Sequence, residues 1–305
     1  MKKNEHIKPL LKWVGGKSQI IDIVVENFPK EMNNYHETFL GGGSVLLAVL
    51  MYKKNNLIEI KGKINAYDVN SSLIATYKNI QSNPNELFDE IQKIISEYND
   101  CDDSDMINRE PNNLDEAKEN KENYYYWIRS KYNKSKNIHD VSHSAMFIFL
   151  NKTCFRGLFR IGPNGFNVPF GNYKNPEIIN KEHLNIVHEL IKDVHFECCD
   201  FSESLNKVKE NDYIYLDPPY VPEKSTSFVK YTENGFNNET HEKLFKILNN
   251  LNKKNIRFML SNADVELVRK TFTDKKYNIE SILCKRSINS KNPEMETKEV
   301  LIKNY

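Results

Sequence analysis

Apolar positions along the chain follow two rhythms, short runs of β-branched and aromatic residues that read as strands and longer stretches with helical spacing. Residues 20–28 carry the helical pattern, 35–39 a strand, and 45–52 a helix that starts at the loop Leu40-Gly41-Gly42-Gly43-Ser44. Residues 63–67 form a second predicted strand that ends at Asp68. Then come a helix at 84–98, an acidic and weakly apolar stretch at 101–122 expected to be an exposed loop, and aromatic-rich helices at 124–132 and 144–150. Strand and helix alternation resumes with strands at 194–198, 213–216 and 256–260, a helix at 240–251, and a closing pair at 277–285 and 299–304. Alternation on both sides of an irregular middle implies an α/β, doubly wound Rossmann-like sheet built from 1–72 and 178–305, with an inserted, mainly helical domain at 73–177.

A chain of 305 residues with a net charge of +1 is long enough to bury a full core. Its longest apolar run, 44–52, falls far short of the ~20 residues that span a bilayer, and no basic leader precedes an apolar segment, so the expected location is the cytoplasm. The five cysteines show neither a disulfide framework nor CxxC spacing and read as reduced thiols. His139 and His143 share a helix face but have no third ligand nearby, so no metal is expected.

Balanced charge does not mark a nucleic-acid binder, which moves attention to local patches. Residues 151–174 hold Lys152, Arg156, Arg160 and Lys174 among aromatics, with no acidic residue. Arginine can pair bidentately with guanine and an aromatic can wedge into a base step, although a solvated basic loop would show the same composition.

The most specific chemistry is Asp217-Pro218-Pro219-Tyr220 at the end of the strand at 213–216. Ligands of open α/β sheets gather at that end of a strand. Proline holds its own φ near −65° and keeps the preceding residue extended, so the Asp217 carboxylate and the Pro218 carbonyl can face one amine while Tyr220 stacks on its ring. Upstream, the glycine loop has the layout of a cofactor-binding turn, because bare backbone and a helix amino terminus can approach a ligand closely. The GxGxxG fingerprint is absent. Asp68, roughly 25 residues further on, is placed to accept ribose hydroxyls and also to cap the helix that follows, two roles that can coexist.

Together these motifs resemble the Dam-like, D12-class (alpha-group) adenine-N6 DNA methyltransferases, in order from Pro9 to Tyr305. The match runs through Lys12-Trp13-Val14-Gly15-Gly16-Lys17, Phe39-Leu40-Gly41-Gly42-Gly43, Asp68, the stretch at 151–171, Asp217 to Tyr220, and the closing Glu299-Val300-Leu301-Ile302-Lys303-Asn304-Tyr305. The resemblance implies S-adenosylmethionine as donor, with Trp13 and Lys17 at its methionine end, Phe39, Gly41, Gly42 and Gly43 as its loop, Asp68 at its ribose, and Asp200 and Phe201 at its adenine. Asp217 then lies near both donor and acceptor. It further implies that Asp217, Pro218, Pro219 and Tyr220 hold the N6 amine of a flipped adenine, and that the insert is a target-recognition domain. Contacts to double-stranded DNA are expected from Lys152, Phe155, Arg156, Leu158, Arg160 and Asn167, with Phe155 as the intercalating aromatic and Arg160 as the guanine reader.

Where the family commonly has Asn-Gly-Leu-x-Arg-x-Asn, this chain has Arg156-Gly157-Leu158-Phe159-Arg160-Ile161-Gly162. GATC is the expected target, with CATG or a related site as its competitor. A monomer is expected, with a cognate restriction endonuclease as a partner acting on the same site. The competing functions are an RNA or protein amide methyltransferase and a catalytically silent DNA-binding protein.

Overall fold

The computed structural model describes residues 6–222, 236–285 and 296–305. The chain divides into two compact units, one of Met1–His6, Lys17–Val69 and Asp193–Tyr305, the other of Ile7–Gly16 and Asn70–Lys192. Residues 7–16, predicted as part of the Rossmann-like region, thus group with the insert, and the insert's unit extends to Lys192.

The first unit is organised by seven strands, β1 (Tyr35–Glu37), β2 (Ile64–Asp68), β3 (Val194–Cys198), β4 (Tyr213–Leu216), β5 (Arg257–Ala263), β6 (Asn278–Lys285) and β7 (Glu296–Lys303). Their spatial order is β6-β7-β5-β4-β1-β2-β3. Strands β5, β4, β1, β2 and β3 are parallel, and β7 and β6 add an antiparallel edge. From β1 the chain builds outward to β2 and β3, then returns to place β4 on the other side of β1, which makes the β1–β4 boundary a topological switch point.

Sequence explains this layering. Every residue of β1 and β4 is buried, as expected of parallel strands covered on both faces, whereas edge strand β3 alternates buried Val194 and Phe196 with exposed His195. Helix Asn238–Lys253 buries His241, Leu244, Phe245, Leu248 and Leu251, a helical stripe that closes over Ile214, Leu216, Phe258 and Leu260.

The second unit is mainly helical, built from Ser71–Ser82, Pro84–Asn99, Lys121–Lys134, Val141–Thr153 and Lys181–Ile191. Tyr98, Tyr124 and Phe149 meet edge-on or tilted, with centroids 5.3–6.1 Å apart. The stretch at 101–122 is not a plain loop, because it contains the short helix Leu114–Lys118, capped by Asn113 accepting from the Glu116 amide. Acidic composition hid it, since the sole buried side chain of that helix is Ala117. His143 is a core residue whose Nε2 lies 3.1 Å from Ser72 Oγ and whose ring stacks on Tyr132. Among the described residues no helix is long and apolar enough to cross a membrane.

Candidate active site and basic surface

Strands β1 and β4 are parallel neighbours, so the glycine loop after one and Asp217 after the other leave from the same edge of the sheet. Loop closure begins with the Gly43 amide donating to the Leu40 carbonyl. Gly43 has φ +73°, a left-handed position suited to glycine, and it is the N-cap from which helix Ser44–Lys54 departs with no side-chain cap. The Gly41 amide donates to Asp68 Oδ2 at 2.9 Å, tying the loop to the end of β2. The cap of the next helix is Asn70, whose side chain accepts from the Leu73 amide, so the structure gives the capping role to Asn70 and the loop contact to Asp68.

Lys17 is buried, and its ammonium donates to Asp217 Oδ2 at 2.7 Å. The same ammonium stands 5.0 Å from the centre of the Tyr220 ring, and the Tyr220 hydroxyl donates to Glu299 Oε2 at 2.8 Å. Burial raises the Asp217 pKa, while the charge and hydrogen bond of Lys17 oppose that rise and Glu299 adds to it. Burial also pushes the Tyr220 hydroxyl well above its ordinary value, with Asp217 and Glu299 reinforcing the effect, so it remains a proton donor.

Glu37, at the end of β1, belongs to this region and its sequence context did not single it out. It is 2% exposed, accepts the Tyr35 hydroxyl at 2.7 Å, and has its pKa pushed up to about 8 by burial, with Asp217 contributing and Tyr35 and the Leu46 amide opposing. Only its position two residues before the glycine loop could have flagged it.

The floor beside the loop is aromatic. Phe39 stacks on Phe201 with centroids 6.0 Å apart, and Phe236 meets both. Asp200 caps helix Phe201–Asn206 by accepting from the Ser202 amide and faces Lys243 at 3.9 Å. Bare loop backbone, a carboxylate at the end of β2 and this apolar floor suit a nucleoside. Pro218 is buried and Pro219 half-buried.

In the second unit, Trp13 stacks on Phe159 at 5.7 Å and packs at 6.5 Å against Phe147. Lys12 is built into the same surface. Its amide and carbonyl pair with the Asn151 side chain, and its ammonium reaches the Lys152 carbonyl and the Tyr173 ring. Burial and Lys12 lower the Lys152 pKa. Arg160 is held by Asn167, Nε to Oδ1 at 2.6 Å and a terminal nitrogen to the Asn167 carbonyl at 3.2 Å, across the two-stranded ribbon of Ile161–Gly162 and Gly165–Phe166. Phe155 is 45% exposed with the Arg156 guanidinium 5.2 Å from its ring centre, and Leu158 is half-buried. Arg156 has φ +57°, a conformation that suits asparagine better than arginine, which gives a backbone reason for the asparagine common at this place in the resembling family.

The "D12 class N6 adenine-specific DNA methyltransferase" family profile matches residues 13–288. The chain is 37% identical to "Type II methyltransferase M.MjaIII" of Methanocaldococcus jannaschii, over 98% of this chain and 99% of that one. It is 28% identical to "Type II methyltransferase M1.LlaDCHI" of Lactococcus lactis subsp. cremoris, over 100% and 98%. With the "DNA adenine methylase" of Haemophilus influenzae the identity is 30%, over 95% and 91%.

Proposed function

The chain belongs to the D12 class of N6 adenine-specific DNA methyltransferases, and from that premise we propose how its residues divide the work of methylating a flipped adenine with S-adenosylmethionine as donor. One observation carries this reading: β1 and β4 are hydrogen-bonded neighbours, so a donor held by Phe39, Gly41, Gly42, Gly43 and Asp68 would meet an amine held at Asp217. Phe201, with Asp200 at its edge, would flank the donor's adenine, and Lys17 its methionine end. When bound, the donor supplies an electrophilic methyl on a positively charged sulfur.

The protein's own contribution is alignment and charge. The charge and hydrogen bond of Lys17 favour the ionised form of Asp217 against its burial. With Oδ2 engaged by Lys17, Asp217 Oδ1 and the Pro218 carbonyl accept the two amine N–H bonds, which turns the nitrogen lone pair out of the ring plane. Pro219 stiffens the turn, Tyr220 stacks on the base, and Asp217 receives the proton that the methylated nitrogen sheds. Base flipping follows from reach, since an N6 inside a duplex is covered by its stack.

The unit containing 70–192 is the proposed target-recognition domain. Arg160, fixed by Asn167, would read guanine, Phe155 would wedge into a base step, and Lys152, Arg156 and Leu158 would line the contact. GATC is the proposed target. The relatives named as type II methyltransferases support a cognate restriction endonuclease as partner, and the enzyme is proposed to act as a cytoplasmic monomer.

Incubating the purified protein with methyl-labelled donor and duplex DNA, then sequencing for N6-methyladenine, tests this. Modified adenine within GATC is expected. Modification confined to CATG would correct the target, and donor label that never reaches DNA would overturn the mechanism.

A further inference from the structure

Tyr220 follows two prolines, and a ring that is to stack on a base must be held from outside its own turn. Two neighbouring strands do this. The Val221 amide donates at 3.1 Å to Oδ1 of fully buried Asn262 on β5, and the Tyr220 hydroxyl donates at 2.8 Å to Glu299 on β7. In the antiparallel register Val300 faces Asn262 and Glu299 faces Ala263, so adjacent rungs of one ladder grip consecutive residues of the turn. One rung below, the Tyr215 hydroxyl lies 2.9 Å from Ser261 Oγ, which fixes β4 to β5 directly beneath Asp217.

We propose that Glu299 is a positioning residue for methyl transfer, setting the orientation of the Tyr220 ring through its hydroxyl and acting on the base by way of that ring. The inference rests on the proposed role of Tyr220 in stacking. A phenol donating to a carboxylate is a strong, directional contact, and the phenol stays protonated here because its burial and the neighbouring carboxylates oppose ionisation. A carboxylate is not required as such. A carboxamide oxygen in the same place would accept the same hydrogen, which separates orientation from charge.

Four variants test this at saturating donor and DNA: Glu299→Ala, Glu299→Gln, Tyr220→Phe and the Tyr220→Phe/Glu299→Ala pair. Glu299→Ala is expected to lower kcat about tenfold, the effect of losing one such bond, with the KM for donor unchanged. Glu299→Gln should stay within about threefold of the parent, and Glu299→Ala should cost nothing further once Tyr220 is phenylalanine. Multiplying losses in the pair, or a glutamine as damaging as alanine, overturns the proposal.

A second measurement needs no turnover. With 3-fluorotyrosine at position 220, the ¹⁹F signal should be single and sharp in the parent and in Glu299→Gln and should broaden or split in Glu299→Ala. An unchanged signal in Glu299→Ala rejects the clamp. A parent that never methylates adenine while the ¹⁹F result holds rejects the role of the ring and leaves the clamp standing.

Discussion

Replacing Lys17 by methionine isolates the charge that opposes burial at Asp217. Methionine keeps much of the stem's volume and removes the ammonium, so burial loses its main opposition and the carboxyl keeps its proton to higher pH. The two charged atoms are 2.7 Å apart, a separation worth about 6 kcal/mol at an effective dielectric of about 20. Water recovers part of this because the Asp217 side chain is 18% exposed. The lower end of the range for breaking a buried pair, about 3 kcal/mol, is therefore the better figure. Because the lost partner favours the ionised carboxylate, the acid limb of kcat should move to higher pH. Single-turnover methyl transfer to duplex DNA between pH 5 and 9.5, at saturating donor, reads the limb directly. Lys17→Arg, which keeps the charge, serves as the control. A methionine variant whose limb coincides with the parent's, or whose loss is equal at every pH, would refute the idea that Lys17 acts by keeping Asp217 ionised.

Asp217→Ala should abolish methyl transfer while thermal unfolding stays cooperative, and near-normal turnover would remove Asp217 from the mechanism. Glu37 titrates at about 8 in the fold against an ordinary value of 4.5, so the folded state binds the extra proton between those limits and its stability declines as pH rises through them. Glu37→Gln removes that decline, and urea unfolding at pH 5 and pH 8.5 should show the variant gaining on the parent by up to about 5 kcal/mol at the higher pH. A difference that does not grow with pH contradicts the assignment. Gly157 has φ +62° and an added Cβ would lie 2.5 Å from Lys12 Cβ, whereas Gly15 has φ +80° with nothing within 4 Å. Gly15→Ala should cost only the backbone strain of about 1–2 kcal/mol, and Gly157→Ala a further ~1–3 kcal/mol for the overlap. Equal losses by denaturant titration would show that Lys12 yields freely.

The parts of the site that were legible from sequence lie within single elements. A continuous buried run marked β4, and the prolines after it marked Asp217 as special. The glycine loop was readable because a strand and a helix flanked it. Asp68 stayed ambiguous because Asn70, two residues later, competes for the same cap, and only the Gly41 contact separates them. The pairing of Lys17 with Asp217 joins residues 200 apart and depends on strand order, which no local pattern encodes. Glu37 reads as an ordinary polar residue in a three-residue strand, and Glu299 as one of several charges on β7, the strand next to the edge. His241 shows the opposite case, a polar letter on the apolar stripe of its helix, fully buried with neither ring nitrogen bonded among the described residues.

The strand order also sets a timetable for synthesis. β1 and β2 are made early, yet β4 and β3, which pair with their outer edges, come from beyond residue 192. At about 5–20 residues per second, the roughly 130 residues between Asp68 and Cys198 take on the order of 10 s to translate. The unit of Ile7–Gly16 and Asn70–Lys192 is complete within that interval, while the first two strands of the sheet wait with open edges that invite pairing with other chains. Slower translation through the insert lengthens this exposure, and a faster passage shortens it.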